Sequence, residues 1–327
     1  MSESTRRPRR LRTSAPMRAL VRETRPHPRQ LVLPLFVKEG LDAPHAIASL
    51  PGVVQWPLSQ VREAVVAAAD AGVGGVMLFA IPAVRDEQGT AACADDGILN
   101  RAIEEAVAAA GDRLVVMADL CLDEFTSHGH CGVLDEHGRV DNDATLAVYD
   151  RMAVAQARAG AHVLGLSGMM DGQVSSVRRA LDAAGFTDTG VLAYAAKYAS
   201  AFYGPFREAV DSTLVGDRKN YQMDPANRRE GALEAALDEA EGADILMVKP
   251  ALPYLDVLAD VCASSLVPVA AYHVSGEYAQ IEAAAANGWI DRKAAHLEAL
   301  TSIVRAGADI VLTYAALDLA AWLREDS

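Results

Sequence analysis

The sequence predicts an α/β fold: a single closed (β/α)8 barrel of the TIM barrel type over residues 30–327, behind an extended basic N-terminal arm, residues 1–29. Three observations predict it. Eight short apolar runs rich in β-branched residues and leucine recur along the chain with helical patterns or long loops between them, which is how a parallel sheet reads in sequence. Glycine steps introduce several of these runs. Polar or ionisable groups close six of the eight, and in a closed barrel the C-terminal strand ends form the open face where chemistry sits.

Taken in order, residues 30–37 open the chain behind the arm, and residues 73–80 follow an alanine-rich amphipathic segment. Residues 113–119 follow Ala110-Gly111 and end on Asp119, and residues 161–167 follow Ala159-Gly160 and end on Ser167. Residues 190–197 and 243–249, the latter behind Glu241-Gly242, both end on lysine, Lys197 and Lys249. Residues 267–274 lead into Ser275, and residues 308–314, behind Ala306-Gly307, end on Tyr314. Glycine at these steps suits a helix C-terminus turning into a strand. Two loops are unusually long, residues 120–142 and 198–225, and loops of that length in a compact barrel are generally lids or binding loops. An open doubly wound sheet is the alternative architecture; it is disfavoured because no glycine-rich phosphate fingerprint follows the first strand.

A formal charge of -14 argues against a general affinity for nucleic acid or for anionic membrane surfaces, because the summed field repels polyanions. The charge is uneven: Arg6, Arg7, Arg9, Arg10, Arg12, Arg18, Arg22, Arg25 and Arg29 make a basic arm on an acidic body, either a frayed tail or an arm that wraps an acidic neighbouring subunit. No apolar stretch follows the arginines as an export signal requires, and the longest apolar candidate, residues 65–84, carries Asp70 and several glycines. A cytoplasmic protein without a membrane span is therefore expected. The four cysteines then suit thiol or metal chemistry better than a disulfide framework.

Lysine is scarce, five residues against twenty-five arginines, which draws attention to what lysine alone supplies: an amine that can lose its proton and become a nucleophile. At a pKa near 10.4 only about one amine in a few thousand is neutral at pH 7. Lys197 and Lys249 each end an apolar run, and on adjacent strands each ammonium would disfavour protonation of the other, on top of the cost of burial. The alternative is that one of them is structural, paired with a carboxylate. The segment 119–132 offers Cys121 and Cys131 thiols, the Asp123 carboxylate and the His128 and His130 imidazoles; two thiolates with an oxygen or nitrogen ligand suit zinc with an open position. The competing reading leaves the cysteines free and the histidines bonded to loop backbone. Between the lysines, Arg207 and Arg218 suit a bidentate carboxylate clamp, with Gln222 as a further donor.

These residues stand in motifs that resemble the porphobilinogen synthase (5-aminolevulinate dehydratase) family over essentially the whole chain: Arg7-Pro-Arg-Arg-Leu-Arg, Leu33-Pro-Leu-Phe-Val, Thr126-Ser-His-Gly-His-Cys-Gly, Met169-Met-Asp-Gly, Ala196-Lys-Tyr-Ala-Ser-Ala-Phe-Tyr-Gly-Pro-Phe-Arg, Met247-Val-Lys-Pro and Tyr272-His-Val-Ser-Gly-Glu. The resemblance implies a cytoplasmic step of tetrapyrrole (heme) biosynthesis, in which two 5-aminolevulinate molecules condense through lysine Schiff bases. It implies that Lys249 holds the first substrate with its carboxylate on Ser275 and Tyr314. Lys197 would hold the second, with Arg207, Arg218 and Gln222 on the carboxylate, Asp119 and Ser167 near the amine, and Tyr203 and Phe206 beside the substrates. It also implies a homo-octamer embraced by the N-terminal arm, or a smaller assembly in exchange with it.

The sequence departs from the family pattern at informative places. Zinc-dependent relatives carry three cysteines in the metal loop, whereas the middle one here is Asp123, so the resemblance implies a hybrid zinc site of Cys121, Asp123 and Cys131. The common Ser-Asp-Met-Met-Asp-Gly-Arg is Ser167-Gly-Met-Met-Asp-Gly-Gln173, which puts a subunit contact in question. Arg228-Arg-Glu230 matches the segment that supports an allosteric magnesium in some relatives; an ordinary acid at a helix N-terminus is the alternative for Glu230. Among rival functions, a class I aldolase needs one essential lysine and a phosphate or sugar site, and a non-catalytic relative has no need of the paired lysines with their clamp.

Overall fold

The computed structural model describes residues 6–325, so the first five residues of the basic arm lie outside it. Ten strands form one sheet: β1 (Leu31–Lys38), β2 (His45–Ala46), β3 (Val54–Trp56), β4 (Gly75–Ile81), β5 (Val115–Leu120), β6 (Val163–Leu166), β7 (Gly190–Lys197), β8 (Ile245–Lys249), β9 (Val269–His273) and β10 (Ile310–Thr313). Eight of them run parallel in the order β1-β4-β5-β6-β7-β8-β9-β10, and β10 pairs back onto β1 through Leu31↔Val311 and Val32↔Leu312. The sheet closes on itself, as the eight predicted runs require. The eight barrel strands are buried on both faces along most of their length, inward by the packed barrel interior and outward by helices, which is why the runs read as continuously apolar rather than alternating.

Several strands begin two residues later than the apolar runs that announced them, and the helix ends explain the delay. Behind three of the glycine steps the next residue is still tied back to its helix: Ala161 N–H donates to Gln156 O, Ala243 to Asp238 O and Ala308 to Ile303 O; behind Gly111 it is Arg113 that donates, to Ala110 O. Gly307, at φ 121°, supplies the backbone conformation that this helix stop needs. Pairing to the sheet starts only after that bond is complete.

The hairpin β2–β3 was not foreseen, because strands of two and three residues are too short to show a period. β3 extends the edge of β1 beyond the barrel rim, with Phe36↔Gln55 and Val37↔Trp56 in register. From there it holds down the short helix Gly204–Ala209: buried Gln55 donates to Ala209 O at 2.9 Å, and Glu208 accepts from the backbone of Ala48 and Ser49 at 3.0 and 3.2 Å. That helix roofs the open end of the barrel, where Phe206 packs on Phe79 with ring centroids 5.4 Å apart.

Within the N-terminal segment, Pro8–Arg12 and Ala15–Leu20 bury no residue against the rest of the chain. Arg29 and Gln30 anchor its base, donating to Arg113 O at 2.6 Å and Asp309 O at 3.3 Å. No helix among the described residues is long and apolar enough to cross a membrane.

Fully buried side chains on the strands carry the stability of the scaffold. Leu246→Ala, at a site with no exposed surface, is expected to lower unfolding stability by about 2–5 kcal/mol through lost transfer energy plus the residual cavity. Chemical denaturation checks this, and a loss below about 1 kcal/mol would contradict close packing at β8.

Candidate active site

The chemistry-bearing residues converge on a cleft of about 390 Å³ at the C-terminal mouth of the barrel, lined among others by Asp119, Asp123, Ser167, Lys197, Arg218 and Lys249. Tyr203, Phe206, Arg207 and Gln222 also face it. Lys197 and Lys249 are direct partners across the β7–β8 ladder. A register shift between Ala193 and Ala196 places one extra residue in β7; such bulges re-aim side chains beside active sites. Its effect is specific here. In a regular strand Tyr194 and Lys197, three residues apart, would face opposite sides, yet both lysine nitrogens lie over the Tyr194 ring, Lys197 Nζ at 5.7 Å and Lys249 Nζ at 5.0 Å from its centroid.

The two amines have different surroundings. Lys197 Nζ donates to Ser167 O at 2.5 Å. Lys249 Nζ sits in an aromatic box, 4.4 Å from the Tyr272 centroid, 5.3 Å from Phe206 and 5.5 Å from Tyr203. No carboxylate pairs with it among the described residues. Burial first, and then the neighbouring Lys197 charge, bring its pKa down to about 7, against the opposing pull of Asp119 and Asp123. An amine so placed is substantially neutral near neutrality, the condition for attack on a carbonyl.

Asp119, on β5, accepts from Ser167 Oγ at 3.0 Å, and its other oxygen is buried on the Tyr194 side. Burial, reinforced by Asp123, pushes its carboxyl up to about 7, in spite of the two lysines and Ser167. It can therefore exchange a proton in the working range. Ser275 lies at the start of the helix Ser275–Ala286, where its hydroxyl accepts from Phe206 N at 3.0 Å and donates to Phe202 O at 3.2 Å. Tyr314 meets Tyr272 hydroxyl to hydroxyl at 3.2 Å, behind the Lys249 box. Tyr203 donates to Tyr198 O at 2.8 Å and to Lys249 O at 3.3 Å.

Arg218 crosses from the long 198–225 loop to the 120–142 loop, donating to Asp123 Oδ2 at 2.9 Å and to Gly129 O at 2.8 Å. Among the described residues its Nε is buried without a partner, as is the Gln222 amide nitrogen, so both keep donors for an anionic group in the cleft. Arg207 is exposed at the rim.

Cys121, Asp123 and Cys131 are buried, with one ligand atom of each within 4.8 Å of the others. Burial opposes ionisation of Asp123, but Arg218 and then Lys197 outweigh it and hold the carboxyl below its usual range. Burial likewise opposes the Cys131 thiolate; hydrogen bonding from Cys121 and the Arg218 charge overcome this and bring the thiol down to about 6, while Cys121 stays high. Asp123 and Cys131 are thus both drawn toward their ionised forms, and with the Cys121 thiol they make a donor set that fits zinc. The histidines of this loop serve it internally: His128 Nδ1 accepts from His130 N at 3.1 Å, and His130 Nδ1 meets the Tyr221 hydroxyl at 3.1 Å. Glu230 stands apart from the cleft, in the first turn of the helix Arg228–Ala240, accepting from Asn227 at 2.9 Å and facing a second cavity together with Asp171, Asp224 and Glu234.

Sequence reasoning missed Tyr194 and Glu277 as parts of this site. Tyr194 was hidden by the bulge. Glu277, fully buried, accepts from Val274 N at 2.6 Å and Leu252 N at 2.5 Å, tying the start of the Ser275 helix to the turn just behind Lys249; its capping-box position three residues into a helix was the available signal.

Comparison with known proteins gives one consistent result. A family model described as delta-aminolevulinic acid dehydratase matches residues 5–322. Proteins of that name from Mycobacterium tuberculosis (strain H37Rv) and Streptomyces coelicolor are 61% and 60% identical to the chain, with 97% of each chain covered on both sides. The Escherichia coli (strain K12) protein is 50% identical over 98% of both chains. A crystal structure of delta-aminolevulinic acid dehydratase (porphobilinogen synthase) from Toxoplasma gondii ME49, in complex with the reaction product porphobilinogen, superposes with a TM-score of 0.95 at 46% identity, covering 98% of this chain and 92% of that one.

Proposed function

The chain belongs to the delta-aminolevulinic acid dehydratase family, and from that premise we propose that it makes porphobilinogen from two molecules of 5-aminolevulinate by way of imines on Lys249 and Lys197. The observation that carries the two-imine reading is the register pair Lys197↔Lys249, with one amine in an aromatic box and the other on the Asp119–Ser167 side.

Lys249, whose burial favours the neutral amine, takes the carbonyl carbon of the first substrate, releasing water. Ser275 and Tyr314 receive that substrate's carboxylate, exchanging their present internal hydrogen bonds for it. The aromatic box excludes water, which protects the imine from hydrolysis. Lys197 takes the second substrate, whose carboxylate meets Arg207, Arg218 and Gln222, and Tyr203 and Phe206 form the wall between the two subsites. The carbon acidified by one imine attacks the other imine's carbon, and the amine of the substrate attacked there closes onto the first imine's carbon. Each addition expels its lysine as a free amine, so one C–C and one C–N bond form as two lysine C–N bonds break. Asp119 and Ser167 are assigned to the second substrate's amine, and Asp119 moves the protons. Each imine acidifies the carbon beside it and activates its own carbon for attack.

Cys121, Asp123 and Cys131 are the residues that would hold zinc, which when bound supplies Lewis acidity and a polarised water beside the second substrate. With one thiolate exchanged for a carboxylate, the site binds zinc less tightly than three thiolates would. Glu230 is proposed as the support of an allosteric magnesium, on the strength of the acidic cavity around it. The N-terminal segment, rich in arginine and with no residue of Pro8–Arg12 or Ala15–Leu20 buried on its own chain, is read as the arm that clasps a second subunit in a homo-octamer, leaving residues 30–327 as the catalytic barrel. The cytoplasm is the proposed location.

The test is porphobilinogen formation by the purified protein, before and after exhaustive chelation. Activity is expected to fall at least tenfold on chelation and to return with zinc. Full activity after complete metal removal would overturn the zinc assignment, and absence of product under every metal condition would overturn the function.

A further inference from the structure

The helix Asn142–Arg158 presents one fully buried face to the candidate metal loop. Thr145, Tyr149 and Gln156 lie on it at spacings of four and seven, a single stripe of an α-helix. Each makes one hydrogen bond to backbone of the site. Thr145 Oγ1 accepts from Val133 N at 3.1 Å, Tyr149 donates to Cys131 O at 2.6 Å, and Gln156 donates to Asp119 O at 2.9 Å. Two glycines let this face come so close. A Cβ on Gly132 would lie 2.4 Å from Thr145 Oγ1, and one on Gly168 would lie 1.9 Å from the Tyr149 hydroxyl.

Gly168 is one of the two departures from the common motif noted in the sequence, and the structure explains both. The space an aspartate side chain would take at 168 is filled by the Tyr149 hydroxyl. Gln173, in place of arginine, turns inward, donating to Leu166 O and accepting from Met170 N, both at 3.2 Å. A polar group has been exchanged for one delivered from the neighbouring helix.

We infer that Tyr149, admitted by Gly168, is a positioning residue that fixes the Cys131 peptide so that the Cys121, Asp123 and Cys131 donors stay preorganised for a thiophilic divalent cation. The inference rests on the reading of that loop as a metal site. Groups that orient ligands from behind typically contribute 10–100-fold to metal affinity, and here the holding bond runs to the ligand's own carbonyl.

The experiment measures zinc affinity by chelator competition, and the thiolate-to-metal absorption of the cobalt-substituted protein, in the wild type, Tyr149→Phe and Gly168→Ala. Tyr149→Phe keeps the ring and removes only the bond; its zinc Kd is expected to rise about 10–100-fold, with a weakened cobalt–thiolate band and a lowered but still cooperative thermal transition of the metal-free protein, because the buried Cys131 carbonyl loses its donor. Gly168→Ala, which displaces the hydroxyl, is expected to weaken zinc to a similar degree. The double variant Tyr149→Leu/Gly168→Ala removes both clash and hydroxyl; it should regain stability over Gly168→Ala without regaining affinity, and it provides the measurement if Tyr149→Phe fails to fold. A zinc Kd within twofold of wild type in the hydroxyl-free variants sinks the inference while leaving the metal site standing. A wild-type protein with no specific zinc binding sinks both.

Discussion

Lys249→Ala is expected to abolish porphobilinogen formation, by on the order of 10⁴-fold or more, the scale on which enzymes lose activity when a covalent nucleophile is removed. The variant should also lose the main adduct trapped by borohydride in the presence of 5-aminolevulinate, read as a missing mass increment on the peptide that contains residue 249. The expectation rests on the local environment of the amine. Among the described residues its nitrogen has no carboxylate partner, and it lies within 4.4–5.5 Å of the centroids of Tyr272, Tyr194, Phe206 and Tyr203. A structural lysine in such a box would be an uncompensated buried charge, and its removal would stabilise the fold. The imine reading makes the opposite use of the same burial, to keep the amine neutral. Lys249→Arg sharpens the contrast, since it preserves charge and bulk but cannot form an imine. Normal turnover by either variant would end the assignment.

What the sequence disclosed, and what it hid, follows from the range over which each interaction acts. Parallel strands buried on both faces announce themselves as unbroken apolar runs, so the eight barrel strands and their order were legible, as was the placement of Asp119, Lys197 and Lys249 at strand ends. The approach of those side chains to one another was legible only in outline. It depends on the β7 bulge, which reverses the facing of Tyr194, and nothing in the string Ala193-Tyr-Ala-Ala-Lys197 marks where a strand gains a residue. The Arg218–Asp123 pair was also out of reach: each residue had been assigned a separate task, one on a carboxylate and one on a metal, and only the meeting of two long loops joins them. Gly168 read as a loss; with Tyr149 beside it, it is a substitution shared between two elements. Sequence patterns report one element at a time, and these contacts all lie between elements.

The pair of lysines also makes a prediction about charge that separates two roles of Lys197. Lys197→Ala should stop product formation on the same scale as loss of Lys249, while an adduct on Lys249 still forms, because the first imine does not need the second amine as a nucleophile. The pH dependence of that adduct carries the argument. In the wild type the Lys249 pKa is about 7, lowered by burial first and by the Lys197 ammonium second, with Asp119 and Asp123 pulling the other way. Removing Lys197 takes away the like charge and leaves the carboxylates, so the ammonium form of Lys249 gains stability and its pKa rises. At pH 7 less of the amine is then neutral, and the midpoint for trapping at Lys249 moves to higher pH, though not to the value near 10.4 of a solvated lysine, because burial remains. Lys197→Arg retains a positive charge and removes only the nucleophile; it should leave the trapping midpoint near that of the wild type and still make no product. If Lys197→Ala leaves the midpoint where it was, the two amines do not feel each other's charge, and burial alone must account for the reactivity of Lys249.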